Sequence, residues 1–150
     1  MSVYYQGDVK QLDKESIIEI NHYINRANTV HELDPMNMDK FNIVLGTSQE
    51  NHVHLTIMGI LKESGLNAVY MQTNRQSQKI KNIMNQKITE ISITNGRGFL
   101  IMECETSILD DLKLKKEFWE DWFYEYHKEG YLSQDYVLLK FIPKVIRVFI

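Results

Sequence analysis

Residues 71–83 read MQTNRQSQKIKNI, a run that opens as a strand and closes as a helix. At the junction lie Thr73, Asn74, Arg75, Ser77 and Lys79, with no acid among them. The segment 76–86, QSQKIKNIMNQ, puts Ile80, Ile83 and Met84 on one face and predicts a short helix. Such a helix leaves its first backbone N–H groups without internal partners, and its macrodipole adds positive potential there. Both effects favour an anion. The hydroxyls of Thr73 and Ser77 suit phosphate oxygens, Lys79 brings a full charge, and Arg75 and Lys81 strengthen the local field. A phosphate monoester, carrying about −1.5 to −2 charge at neutral pH, matches this junction. A plainer reading stays open: Ser and Thr at a helix start are often only caps, and lysines on a short helix often serve solvation.

Working outward, three strand-like runs precede the junction: KFNIVLGTS (40–48), HVHLTIMGIL (52–61) and LNAVYMQT (66–73). In the second, Val53, Leu55 and Ile57 alternate with His52, His54, Thr56 and Met58. The tight turns QEN and KESG separate the runs, with Gly65 suited to positive φ, so an antiparallel meander is expected. After the junction, KITEISITNGRGFLIMECET (87–106) reads as a hairpin with Asn95-Gly96 as its two-residue turn. Residues 107–130 place Leu109, Leu112, Lys116, Trp119, Phe123 and Tyr126 at helical spacing, ending at Gly130, and predict a long helix. The end, 135–150, is β-rich, and Pro143 belongs at an edge or a bulge. At the other end, residues 8–28 predict an amphipathic helix capped by Asp8, and residues 29–39, with Pro35, a connector. Hairpin-linked strands with few helices predict a mainly β fold, a small antiparallel barrel with flanking helices.

Composition sets the outer limits. The 150 residues suit one domain, which can bury roughly 70% of the surface its unfolded chain exposes. A net charge of −3 argues against a general nucleic-acid binder. No apolar run is long enough to span a bilayer, and the N-terminus lacks an apolar leader, so no membrane association is expected. Cys104 is the single cysteine, which rules out an intramolecular disulfide and fits a cytoplasmic location. It reads as a buried small hydrophobe. The histidines (His22, His31, His52, His54 and His127) form no zinc spacing, so no metal site is expected. His52 and His54 share a strand face, as a surface pair or as neighbours of a ligand. The aromatics Trp119, Trp122, Phe123, Tyr124 and Tyr126 cover more than one helical face; core packing is the default reading, contact with a partner subunit the alternative.

The package TNRQSQKIKNI after a strand, together with KFNIVLGTSQENHVHLTIM, KKEFWEDWFYEY and SQDYVLLKFIPKVI, resembles the FMN-binding split-barrel family of pyridoxamine 5'-phosphate oxidase, in its general-stress-protein branch. The resemblance spans roughly residues 38–148 and implies a six- or seven-stranded antiparallel split barrel with FMN as cofactor. It implies that Thr73, Ser77 and Lys79 hold the FMN phosphate, with Asn74 and Gln78 beside it. It also implies that His54, Leu55, Thr56, Ile57 and Met58 run along the flavin ring. Two positions depart from the oxidases proper: Gln78 stands where they usually carry Arg, and His54 is the nearest match to a second phosphate-gripping Arg. Those oxidases also continue past their last strand into a substrate-binding segment, whereas this sequence ends at Ile150. True pyridoxamine phosphate oxidation is therefore not expected. What the resemblance implies is a cytoplasmic homodimer acting as an FMN-dependent reductase or oxidase of a small-molecule substrate, with NAD(P)H a candidate electron donor. No catalytic side chain stands out. The alternative is a non-catalytic dimer that binds a flavin or another phosphorylated ligand for storage or sensing, and the sequence does not separate FMN from a related flavin or a deazaflavin.

Overall fold

The computed structural model describes residues 2–29 and 40–150. The connector expected at 29–39, with His31 and Pro35, lies almost wholly outside the described residues. The chain runs β1 (Tyr4–Asp8), a 3₁₀ turn at Val9–Gln11, α1 (Lys14–Thr29), β2 (Asn42–Gln49), β3 (His52–Ile57) and β4 (Lys62–Glu63). It continues with β5 (Val69–Asn74), α2 (Gln78–Asn85), β6 (Ile88–Asn95), β7 (Gly98–Leu109) and α3 (Leu112–Glu117). Two further 3₁₀ turns, Asp121–Glu125 and Gly130–Leu132, lead to β8 (Tyr136–Phe149). The strands form one eight-stranded sheet in the order β3-β2-β6-β7-β8-β5-β4, with β1 also on β8. All its strand pairs are antiparallel. It is a split barrel, one two-residue strand beyond the expected count.

The expected helix at 8–28 begins later than its apolar spacing suggested. Asp8 caps only the 3₁₀ turn, accepting from Lys10 N at 2.8 Å. Asp13 accepts from Ser16 N at 2.8 Å and holds the start of α1. Asp8 itself ends β1, because the register of Tyr4–Asp8 with Val145–Phe149 of β8 offers backbone partners that local sequence cannot reveal. From Lys14 on, the predicted stripe is the buried one: Ile20, Tyr23, Ile24 and Ala27 pack into the core.

The meander is corrected at its third strand. β2 and β3 form the expected hairpin. β3, however, ends at Ile57, and β5 pairs with β8 (Met71 opposite Leu139, Thr73 opposite Val137) rather than with β3. Residues 58–61 carry the chain from one edge of the sheet to the other: Met58 N bonds to Ile43 O at 3.0 Å and Leu61 N to Tyr70 O at 2.8 Å. Lys62 and Glu63, expected in a turn, pair with β5. Gly65 does take positive φ (60°), and a Cβ there would collide with Asn21 of α1.

β8 explains why the sheet closes up around it. In YVLLKF, Val137, Leu139 and Phe141 enter the main core, while Tyr136 and Leu138 enter a second cluster with Phe118 and Phe123. A strand buried on both faces reads as an unbroken apolar run. Pro143 sits where the β7–β8 register shifts, as expected of a residue that cannot donate to a ladder. The β6–β7 hairpin turns one residue later than predicted: Asn95 pairs with Gly98, leaving Gly96 and Arg97 as the loop. Asn95 Oδ1 accepts from both Arg97 N and Gly98 N at 2.9 Å, which fixes that register.

The long helix at 107–130 is the largest correction. Ser107–Leu109 extend β7 and pair with β8. Asp111 starts the six-residue α3 by accepting from Leu114 N at 3.1 Å, and 3₁₀ turns follow. Aromatic side chains lose rotamer freedom in a helix. Here Phe118 and Phe123 gain more by turning inward onto Tyr136, with Trp119 wedged among them (ring centroids 5.3 Å from both Phe123 and Tyr136). Trp122, Tyr124 and Tyr126 are left exposed, so core packing holds for only part of the set. On α2, Ile80 and Ile83 are buried as predicted, but Met84 is exposed.

Candidate functional site

At the end of β5, Thr73 points inward and is buried. Asn74 Oδ1 accepts from Gln76 N at 2.7 Å, a side-chain turn that redirects the chain into α2. The turn is fastened from outside, since Arg75 N donates to Asp135 O at 2.7 Å and Asn74 Nδ2 to Asp135 Oδ2 at 3.3 Å. Ser77 stands at the N-cap of α2 yet makes no side-chain capping bond, and its Oγ is buried without a hydrogen-bond partner. The capping explanation for Ser77 therefore fails. Lys79 Nζ donates to Thr73 Oγ1 at 2.9 Å, and burial pushes its pKa below the ordinary lysine value.

Arg75 does not serve this junction. Its guanidinium donates to Gln134 O and pairs with Asp110 Oδ2, both at 2.6 Å. Burial pulls the Asp110 carboxyl upward, but the bonds and charges of Arg75 and Lys115 outweigh it and hold it below the usual value. Lys81 lies exposed on α2.

Beside the junction opens a cleft of about 820 Å³. It lies where the chain crosses between the two edges of the sheet. Thr56, Ile57, Met58, Thr73, Asn74 and Lys79 all line it, so the structure gathers six of the ten expected site residues on one cavity. Thr56 Oγ1, like Ser77 Oγ, is buried without a partner. The other four do not line it, and Ser77 sits at the N-cap of α2, outside the lining residues. His54 and Gln78 face a separate hollow by the β2–β3 turn, where Gln78 Nε2 bonds Asn82 Oδ1 at 2.9 Å. Leu55 points to the opposite side of the sheet because strand side chains alternate.

The aromatic segment also lines the cleft, through Glu120, Trp122, Phe123, Tyr126 and His127. The sequence marked this segment only by its surplus of rings. His127 is buried, with Nε2 3.0 Å from Gln72 Oε1 and Nδ1 3.3 Å from Asp135 Oδ1. Asp135 thereby links the β5–α2 turn to the aromatic segment. Among the described residues, no group of three or more His, Cys, Asp or Glu is placed to hold a metal ion, and no helix is long and apolar enough to cross a membrane.

The fold recurs in solved structures. A protein related to general stress protein 26 from Clostridium acetobutylicum superposes with a TM-score of 0.71 at 20% identity, covering 91% of this chain and 89% of that one. General stress protein 26 from Bacillus anthracis is 25% identical, with a TM-score of 0.63 and coverage of 91% and 96%. The general stress FMN/FAD binding protein of Xanthomonas citri gives a TM-score of 0.65 at 10% identity, with coverage of 87% and 88%. No curated protein matches the sequence. The family described as "Pyridoxamine 5'-phosphate oxidase like" matches residues 28–149, and the chain belongs to that family.

Proposed function

We propose that this chain is an FMN-binding oxidoreductase acting on a small-molecule substrate, with the flavin phosphate held by Thr73, Ser77 and Lys79. The observation that carries the proposal is Ser77 Oγ, buried and without a partner, at the start of α2 in the same turn as the Lys79–Thr73 pair. A buried hydroxyl left unpaired is costly, and an anion arriving there supplies its acceptor. The cleft volume of about 820 Å³ lies within the usual range for cofactor sites. The described relative named as an FMN/FAD binding protein supports a flavin as the ligand.

When bound, the flavin supplies the hydride or electron transfer. The chain's own residues bind and orient it. Lys79 neutralises part of the phosphate charge, and the bonds of Asn74 and Arg75 to Asp135 keep the turn in place before binding. Thr56, Ile57 and Met58 line part of the cleft, and Phe123 adds an apolar ring to the lining.

The test is a titration of apo-protein with FMN and with riboflavin, which lacks the phosphate. Thr73→Ala and Lys79→Ala are each expected to weaken FMN by about 1.5–3 kcal/mol while leaving riboflavin nearly unchanged. Unaltered FMN affinity in both variants refutes the anchor, and preferential uptake of a deazaflavin reassigns the cofactor.

A second reading has an observation of its own. Among the described residues lining the cleft, Lys79 alone carries a full positive charge, since Arg75 is committed to Asp110. A single cation suits a flavin- or phosphate-ligand-binding protein that stores or senses rather than turns over. Anaerobic bleaching of the flavin by NAD(P)H separates the two: bleaching supports the enzyme, its absence with every donor supports the binder.

The proposal includes a homodimer. On the edge strand β3, Val53, Leu55 and Ile57 expose 78%, 68% and 85% of their surface in one row. An apolar row on a sheet edge invites a partner. The same face of the sheet also exposes Ile88, Val145, Phe149 and Tyr4, with Gly46, Glu90 and Glu103 lying between Leu55 and Val145. Ile57 belongs both to this face and to the cleft wall, so a second copy seated here would border the cleft.

A further inference from the structure

We propose that the mouth of the cleft, formed by Glu120, Trp122 and Tyr126, is a subsite for a planar organic cation of the pyridinium type. It goes beyond the flavin reading and holds whether or not a flavin fills the other end.

Among the described residues lining the cleft, Lys79 is the one Lys or Arg and Glu120 the one Asp or Glu, and they come from two segments of opposite charge. Residues 75–87 carry Arg75, Lys79, Lys81 and Lys87 and no acid. Residues 117–126 carry Glu117, Glu120, Asp121 and Glu125 and no base. Both segments line the cleft, one through Lys79 and the other through Glu120. Nearby cations do not cancel the acidic end: Lys115 is buried on Asp110, Lys116 lies over the Tyr131 ring, and neither lines the cleft.

The rings at this end are exposed but fixed. Trp122 and Tyr126 expose 52% and 61% of their surface while lining the cleft. Trp122 meets the fully buried Phe123 edge to face, centroids 4.5 Å apart at 83°. It stands at 86° to Tyr126 with centroids 6.1 Å apart. Trp122 Nε1 donates to Glu120 Oε2, which keeps the carboxylate beside the ring. Two perpendicular aromatic faces with a carboxylate alongside form the environment in which a flat cation gains both cation–π attraction and charge pairing. A neutral ring gains only stacking there, and an anion is repelled.

Three pyridines of nearly one shape provide the test: N-methylnicotinamide as the cation, nicotinamide as the neutral ring and nicotinate as the anion. Calorimetric titration is expected to show the cation binding about tenfold more tightly than the other two. Glu120→Gln is expected to remove that preference, and Trp122→Leu to weaken the cation by about tenfold. Lys79→Ala, which is expected to weaken FMN, does not weaken the cation, so failure of the phosphate anchor and failure of this subsite are read separately. Equal affinity for the three pyridines, or a preference that survives Glu120→Gln in a protein whose far-ultraviolet spectrum is unchanged, overturns the proposal.

Discussion

Lys79 shows how one residue joins burial to binding. Its ammonium is half-buried and bonded to a neutral hydroxyl, so desolvation lowers its pKa from 10.5 with nothing on the protein to offset it. An anion reverses that balance by favouring the charged form. The sign follows: as pH rises through the lowered pKa, the free protein loses the cation and FMN affinity falls. Binding in that range takes up protons. Titrations at increasing pH are expected to show FMN affinity falling at a pH below the ordinary lysine value of 10.5. Lys79→Arg, which stays charged, is expected to flatten the fall. An identical decline in that variant, or for riboflavin, rules out Lys79 as its source. The closeness of Thr73, Ser77 and Lys79 was legible in the sequence because it is local: strand end, turn and helix start lie within seven residues. Arg75 was misread because its partner, Asp110, lies 35 positions away.

At the scale of the element, the outcome depended on whether the decisive partners were local. α1 was readable once past its start, since a stripe at three-and-four spacing has one way to face a core. Ile24 is fully buried and Ile18 is 65% exposed on the same helix. Ile24→Ala is therefore expected to cost about 2–5 kcal/mol of stability, and Ile18→Ala less than about 0.5 kcal/mol, by denaturant unfolding. Comparable losses in both mean that the buried face has been misassigned. The aromatic segment failed as a helix for the converse reason. Its spacing admitted a helix, but Tyr136 and Leu138 on the outer side of β8 drew Phe118 and Phe123 into a separate cluster. Nothing between residues 107 and 130 announces that second core. The same misreading hid Glu120, Trp122 and His127 as cleft residues.

For the whole molecule, the open sheet edge matters most. β3 ends the sheet on one side and β4 on the other, and residues 58–61 pass between them. The cleft and the exposed apolar row both belong to that edge, one on each side of β3. Sedimentation at micromolar concentration is expected to show a dimer. Leu55→Lys, which places a charge in the middle of the row, is expected to give a monomer with an unchanged far-ultraviolet spectrum. A wild-type chain that sediments as a monomer removes the dimer from the proposal. A Leu55→Lys dimer moves the interface to another face. Leu55 lies apart from the expected set: it lines a hollow on the other face of β3 and not the cleft that Thr56 lines.

By itself the sequence determined the mainly β class, the β2–β3 and β6–β7 hairpins, the register of α1 and the cluster of hydroxyls and a cation around α2. Each rests on partners a few residues apart, where periodicity, turn chemistry and helix ends leave little choice. The tertiary structure alone decided that β5 lies on β8, that Tyr4–Asp8 forms a strand, that residues 107–130 break into a strand end, a short helix and 3₁₀ turns, and that an aromatic segment with Glu120 shares one cleft with Lys79. The physical reason is common to all four. β8 is buried on both faces over its first half and pairs along both edges, so it gathers distant segments whose own sequences carry no record of the strand they meet.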